Sequence, residues 1–167
     1  MSKGEISKIH KLEDLVTEFC DRRLTWAPVM LGEKEPEYTR RVLFPQFNEF
    51  VKDLGDRQVS IASDGTADRP HPVTLGLGQP FYPDISIDLF GRRTIAFEVK
   101  FLGEQAYSGR LSTAVGQAVI YSSFGYAYSH ALLISDTGMR SHISSDLAHL
   151  NSTLAGQGIS FHVLGNE

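Results

Sequence analysis

The sequence predicts an α/β domain in which a mixed sheet is flanked by helices, and three observations predict it. Two neighbouring segments, Asp84–Phe90 and Thr94–Phe101, alternate apolar and polar residues with the period of half-buried strands. A later segment, Ala131–Ser135, is an apolar run directly after a helical pattern, the mark of a buried and often parallel strand. Ahead of them, Ile6, Ile9, Leu12, Val16, Phe19 and Cys20 recur at the spacing of one helix face.

The elements follow in order. The N-terminal helix covers about residues 5–23, and a second helical region covers about 36–54. Pro45 lies inside that region, so it is either kinked or split, with a second helix starting near Pro45 and burying Phe47, Phe50, Val51 and Leu54. Gly55 ends it, and Gln58–Ala62 reads as a short strand. From Ser63 to Pro80 the chain is dense in Gly, Pro and Asp, with Val73–Leu77 at best a brief edge strand. An irregular stretch of that length suits a loop that meets substrate. The alternating hairpin comes next, then the Gly103–Gly109 loop and a helix over Leu111–Phe124 entered through Ser108 and Gly109. Ala131–Ser135, a helix about Ser141–Leu154 and a strand Ile159–Leu164 complete the order α, α, β, β, β, α, β, α, β.

Composition narrows the class. With 167 residues, 41% hydrophobic and 22% charged, the chain is expected to form one globular domain over residues 1–167, without internal repeats or linkers. No run approaches the ~18 consecutive apolar residues of a membrane span, and the polar start Met1-Ser-Lys-Gly-Glu lacks a signal-peptide core. The single cysteine, Cys20, has no internal disulfide partner, which fits a cytoplasmic location. The six histidines are scattered, with no Cys/His spacing for zinc. A net charge of −4 argues mildly against a nucleic-acid partner, yet local cations matter more than the sum: Arg40-Arg41, Arg92 and Arg93 at the hairpin tip, Lys100, and Arg110 at a helix start.

The hairpin carries the chemistry. Odd positions Ile85, Ile87, Leu89, Ile95, Phe97, Val99 and Phe101 are apolar, so burying them puts Asp84, Glu98 and Lys100 together on the opposite face. A shared buried face requires opposed positions to sum to an even number. Phe90 is then expected to pair with Thr94 across Gly91-Arg92-Arg93, with Asp84 opposite Lys100 and Ser86 opposite Glu98. A two-residue turn at Gly91 gives an odd sum instead, which throws the aspartate to the wrong face unless a bulge restores it. Two neighbouring carboxylates repel each other and favour a proton or a cation, and oxygen-only ligation suits Mg²⁺ or Mn²⁺. A lysine beside them can act on a metal-bound hydroxide or a phosphate oxygen. The bland alternative is a hairpin with one solvated polar face.

Pro83-Asp84, a hairpin, then Glu98-Val99-Lys100 resembles the PD-(D/E)xK signature of the restriction-endonuclease-like nuclease superfamily. The helix that follows adds Gln117-Ala-Val-Ile-Tyr121, similar to the Q-x-x-x-Y element of RecB-type nucleases, with Gln117 and Tyr121 on one helix face. The resemblance implies an αβββαβ core over about residues 36–135, decorated by the N-terminal helix and a C-terminal α-β addition. It assigns Asp84 and Glu98 to divalent metal together with the Val99 carbonyl, Lys100 to the attacking water, and Gln117 to the catalytic face, while Tyr121 supports it or the DNA. Members often recruit a further metal-binding glutamate from the preceding helix. Glu37 and Glu49 are available, with Glu37 preferred and Asp88 ranked lower.

The function expected is therefore a Mg²⁺-dependent endodeoxyribonuclease of restriction, homing or repair type, with Arg92, Arg93, Arg110 and Tyr121 as DNA contacts. Cutting both strands with so small a chain calls for a homodimer or higher oligomer. The alternative is a non-cleaving DNA-binding or assembly module that retains the fold. On the sequence alone, Lys100→Ala is expected to leave stability within about 1 kcal/mol, since Val99 and Phe101 already bury the other face.

Overall fold

The computed structural model describes residues 1–75, 78, 80–103, 106–135 and 140–166. Helix α1 (Lys3–Arg22) starts from a capping box: the Ser2 hydroxyl accepts from the Glu5 N–H, and the Glu5 carboxylate accepts from the Ser2 N–H. Its buried face is Ile9, Leu12, Val16, Phe19 and Cys20, while Ile6 remains exposed. The second helical region is helical throughout, running as α2 (Glu35–Tyr38), a π-helical turn (Thr39–Leu43) and α3 (Phe44–Asp53). Pro45 is the cause. It has no N–H for the carbonyl four residues back, and the turn widens so that the Phe44 N–H reaches the Thr39 carbonyl, leaving Pro45 in the first turn of α3.

The strands are β1 (Val59–Ser63), β2 (Val73–Thr74), β3 (Pro80–Phe81), β4 (Ile85–Leu89), β5 (Arg92–Leu102), β6 (Tyr128–Ser135) and β7 (Ile159–Gly165). Helices α4 (Tyr107–Phe124) and α5 (Arg140–Leu154) follow β5 and β6. Five strands make one mixed sheet in the order β1-β4-β5-β6-β7, antiparallel from β1 to β5 and parallel from β5 to β7. Thus the apolar run after a helix is a buried parallel strand. Only Val73–Thr74 of the expected Val73–Leu77 edge segment is strand, paired with β3 in a separate ribbon; Gly76 and Leu77 lie outside the described residues.

The expected hairpin register is corrected. The turn is two residues, Phe90-Gly91, with φ of 58° and 69°, the positive pair of a type I′ turn. Leu89 pairs with Arg92 and Asp88 with Arg93, an odd sum. A bulge then restores parity: Thr94 is the extra residue, its Oγ1 accepts from the Leu89 N–H, and Ile87 pairs with Ile95, Ser86 with Ala96 and Ile85 with Phe97. Phe90 therefore does not pair with Thr94, nor Ser86 with Glu98. Turn and burial are both satisfied, because one inserted residue lets each have its own register.

The odd-numbered apolar residues of β4 and β5 share one core with α1, α3, Leu132, Ile134 and Leu164. The even face is covered as well: α4 and α5 pack over Leu102, Ala131, Leu133, Ile159 and Phe161 through Ala114, Ala118, Ile143 and Leu147. The polar side of the hairpin is therefore interior, not solvated. Phe97 is central, with its ring 4.6 Å from Phe47 and 5.1 Å from His130. Phe97→Ala is expected to cost about 3–5 kcal/mol, measured by urea denaturation, since the β5 backbone cannot collapse into the void.

Candidate active site

The site forms where the hairpin comes apart. β4 begins at Ile85 opposite Phe97, but β5 continues to Leu102, so the Val99 and Phe101 N–H groups face a side that β4 has left. Buried donors need acceptors. Carboxylates supply them: Asp84 Oδ2 accepts from the Val99 N–H at 2.7 Å, and Glu35 Oε1 accepts from the Phe101 N–H at 3.0 Å. Asp84 is fixed in turn by its own backbone. Its N–H donates to the Phe97 carbonyl at 2.9 Å, and its carbonyl accepts from Ser63 Oγ at 2.9 Å and from the Asp64 N–H at 3.0 Å. Asp84 is thus beside Phe97 and Val99, and the expected pairing with Lys100 does not occur.

Glu98 and Lys100 stand two positions apart on the face under α4, and both are buried. Lys100 Nζ lies 2.5 Å from Glu98 Oε1 and 3.4 Å from Glu35 Oε2. The small residues Ala114 and Ala118 seat α4 close to the sheet, and one turn later Tyr121 projects to Glu98. The Tyr121 hydroxyl lies 2.9 Å from Glu98 Oε2 and 3.0 Å from the Tyr82 carbonyl, so its single proton is shared between two acceptors. Arg110, from the first turn of α4, reaches Glu35 Oε1 at 3.0 Å.

Three carboxylates therefore meet two cations in a mostly buried volume. Burial, then the charge of Glu98, pushes the Asp84 carboxyl up to about 7, against the opposing bond from Val99. Burial also raises Glu98, although Lys100 and Tyr121 oppose it. Burial pulls the Lys100 ammonium down, but the Glu98 carboxylate outweighs it, and Lys100 stays charged. With Asp84 ionised, the three carboxylates carry one more charge than Lys100 and Arg110 neutralise. An added cation is the remedy chemistry offers.

Of the residues named from sequence, Asp84, Glu98, Lys100, Tyr121 and Arg110 come together here. Gln117 lies one helical turn before Tyr121, half-buried, and its Oε1 has no hydrogen-bond partner among the described residues. Glu37 does not join them: it is exposed and caps the N–H of Lys34 at 3.1 Å. Glu49 is exposed on α3. The glutamate that reaches the site is Glu35, missed because the helix was expected to start one residue later; its signal was the Glu-Pro pair that opens α2. Tyr121, expected as a DNA contact, is fully buried and presents no surface to a ligand; its hydroxyl is turned to Glu98. Arg92 and Arg93 sit six and five residues along β5 from Glu98, roughly 16–20 Å away at strand spacing. Arg93 packs against Gly125. Arg110 touches the site through Glu35, while Arg40 packs on Gly65 and Arg69 lies 4.9 Å from the Tyr82 ring. A cavity of about 600 Å³ lined by Ala106, Ser108, Gly109, Arg110 and Thr113 shares Arg110 with the site.

No helix among the described residues is long and apolar enough to cross a membrane. Compared with family models, with curated proteins and with solved structures, the chain finds no match, so the functional reading rests on its own residues.

Proposed function

We propose that the protein is a divalent-metal-dependent endonuclease of the restriction-endonuclease-like class, hydrolysing DNA phosphodiester bonds. One observation carries the reading: Asp84, Glu98 and Lys100 meet where β4 parts from β5, and Tyr121 of the Gln-x-x-x-Tyr helix binds Glu98. The order α3, β1, β4, β5, α4, β6, with β5 and β6 parallel, is the order an αβββαβ core requires.

The donor set fits Mg²⁺ or Mn²⁺, because Asp84, Glu98, Glu35 and the Val99 carbonyl offer only oxygen and the cluster has uncompensated negative charge. Such an ion, when bound, makes water a nucleophile near neutral pH and neutralises charge on the phosphate. The protein's own residues do the positioning. Tyr121 and Lys100 hold the two Glu98 oxygens, and the Val99 N–H holds Asp84 Oδ2, so the other Asp84 oxygen is free of that bond. Lys100 places a fixed ammonium where negative charge develops on the attacked phosphate, and Gln117 offers an amide with an unused oxygen. Two-strand cleavage calls for a symmetric dimer.

The second reading, a non-cleaving module, has an observation of its own. Asp84 and Glu35 each terminate the β5 ladder, so both have structural reasons to be present. Glu98 separates the two, since among the described residues its carboxylate is bonded to the Lys100 and Tyr121 side chains and to no backbone group. Supercoiled plasmid incubated with Mg²⁺ is expected to be nicked or linearised by the wild type and left intact by Glu98→Gln, while the variant's denaturation midpoint is unchanged or higher. Equal cleavage by both would move the chemistry elsewhere; no cleavage by either favours the module.

A further inference from the structure

On the opposite face of the sheet, beneath α1, a second cluster has no part in the site above. His130 of β6 and His162 of β7 are both buried, and His130 Nδ1 lies 2.9 Å from His162 Nε2. Each ring is held from outside by a carboxylate: His130 Nε2 is 2.9 Å from Glu13 Oε2, and His162 Nδ1 is 2.7 Å from Asp21 Oδ1. Glu13 is itself fixed by Thr17, whose hydroxyl donates to Glu13 Oε1 at 3.0 Å. Cys20, from the same helix, completes the group, with its sulfur and one nitrogen of each ring all within 4.8 Å of one another.

The hydrogen-bond count exposes a deficit. A carboxylate only accepts, so Glu13 and Asp21 oblige the outer nitrogens of both rings to carry the protons. The inner nitrogens are then both lone pairs, facing each other at 2.9 Å in a buried site. Something positive must stand between them. We propose that this something is a zinc ion, bound by Cys20, His130 and His162, with Glu13 and Asp21 orienting the two imidazoles.

Ligand chemistry favours zinc over the hard ion of the active site, since one thiolate and two imidazoles suit a borderline-soft metal. The outer carboxylates match the way metal-bound histidines are usually supported from their second nitrogen. Four-coordinate zinc at ~2.0–2.1 Å from each nitrogen needs the nitrogens about 3.3 Å apart, a few tenths of an ångström beyond their present spacing, and needs the two rings, which now lie 8° from parallel with centroids 5.2 Å apart, to tilt until both lone pairs converge on the ion. Binding converts the Cys20 thiol to thiolate and releases its proton to solvent, with no change of oxidation state. A groove of about 560 Å³ is lined in part by Cys20, Asp21 and His162, so two of the three ligands lie along its wall. Sequence spacing could not show this. The histidines are 32 residues apart and meet only because β6 and β7 are neighbours, while Cys20 arrives from the first helix.

The test uses the full chain, stripped with chelator and titrated with Zn²⁺ and, as an optical probe, Co²⁺. Expected are one zinc bound per chain with a raised melting temperature, and a tetrahedral Co²⁺ spectrum containing a thiolate charge-transfer band. Cys20 is the chain's single cysteine, so the wild-type band identifies it even where Cys20→Ser fails to fold. Glu13→Gln is expected to weaken zinc binding by ~10–100-fold, and Glu98→Gln to leave it unchanged. A Co²⁺ spectrum without the thiolate band overturns the proposal. So does a folded wild type that binds no zinc while NMR shows a single proton bridging the two imidazoles, for then a proton alone fills the gap.

Discussion

Lys100→Ala is expected to destabilise the metal-free protein by about 3 kcal/mol or more and to lower Mg²⁺-dependent cleavage by ~10²-fold or more. The stability effect reverses the small change that the sequence alone suggests, and the reason is burial. Lys100 is only 8% exposed and lies between Glu98 and Glu35, so its removal strands two carboxylates where water cannot reach them freely. Divalent metal should separate the two roles of this side chain. Mg²⁺ is expected to restore much of the lost stability, because it supplies the missing charge, but not the cleavage, because the ammonium beside the phosphate is still absent. Urea denaturation with and without Mg²⁺, alongside plasmid cleavage, reads both. A variant as stable as wild type without metal would show that Lys100 does not neutralise this cluster, and full cleavage would remove it from the chemistry.

Acidity provides the second large effect. The Asp84 carboxyl is raised to about 7 by burial and by Glu98, against an ordinary value near 3.9 in the unfolded chain. A carboxyl raised by folding binds its proton more tightly in the folded state, so its contribution is fully present below the unfolded value and is lost as pH rises through the folded one. Stability of the metal-free protein is therefore expected to fall between about pH 4 and 7, by up to roughly 1.4 kcal/mol per pH unit. Metal competes with that proton. Mg²⁺ affinity is expected to climb over the same window and level off above it. Asp84→Asn is expected to flatten the stability profile and to abolish cleavage, and its side-chain oxygen can still accept from Val99, which Asp84→Ala cannot offer. Denaturation midpoints across that range, for wild type and Asp84→Asn, decide it: parallel profiles would show that Asp84 is not the group that titrates.

Much of this was legible in the chain because period and parity are local properties. Alternation in Ile85–Leu89 and Ile95–Phe101 assigned Asp84, Glu98 and Lys100 to one face without knowledge of any neighbour, since side chains in a strand can point only two ways. The Gln117–Tyr121 spacing placed both on one side of α4 for the same kind of reason. The apolar Ala131–Ser135 run announced a strand buried on both faces, and β6 is one.

Tertiary structure decided what those faces meet. Whether the polar side of the hairpin is solvated depends on a helix packing over it, and the small contacts of Ala114 and Ala118 that allow this carry no charge signal in the sequence. The hairpin register turned on one bulge at Thr94, where a two-residue turn and a buried face made incompatible demands. Glu35 entered the site because β4 stops short of β5 and the Phe101 N–H needs an acceptor, a requirement that exists only once the strands are placed. The same holds for Cys20, His130 and His162, brought together by a parallel pairing and a helix crossing it. Local pattern determined which side each residue faces; only the packed chain, by obliging buried donors, acceptors and charges to find partners, determined which residues those partners are.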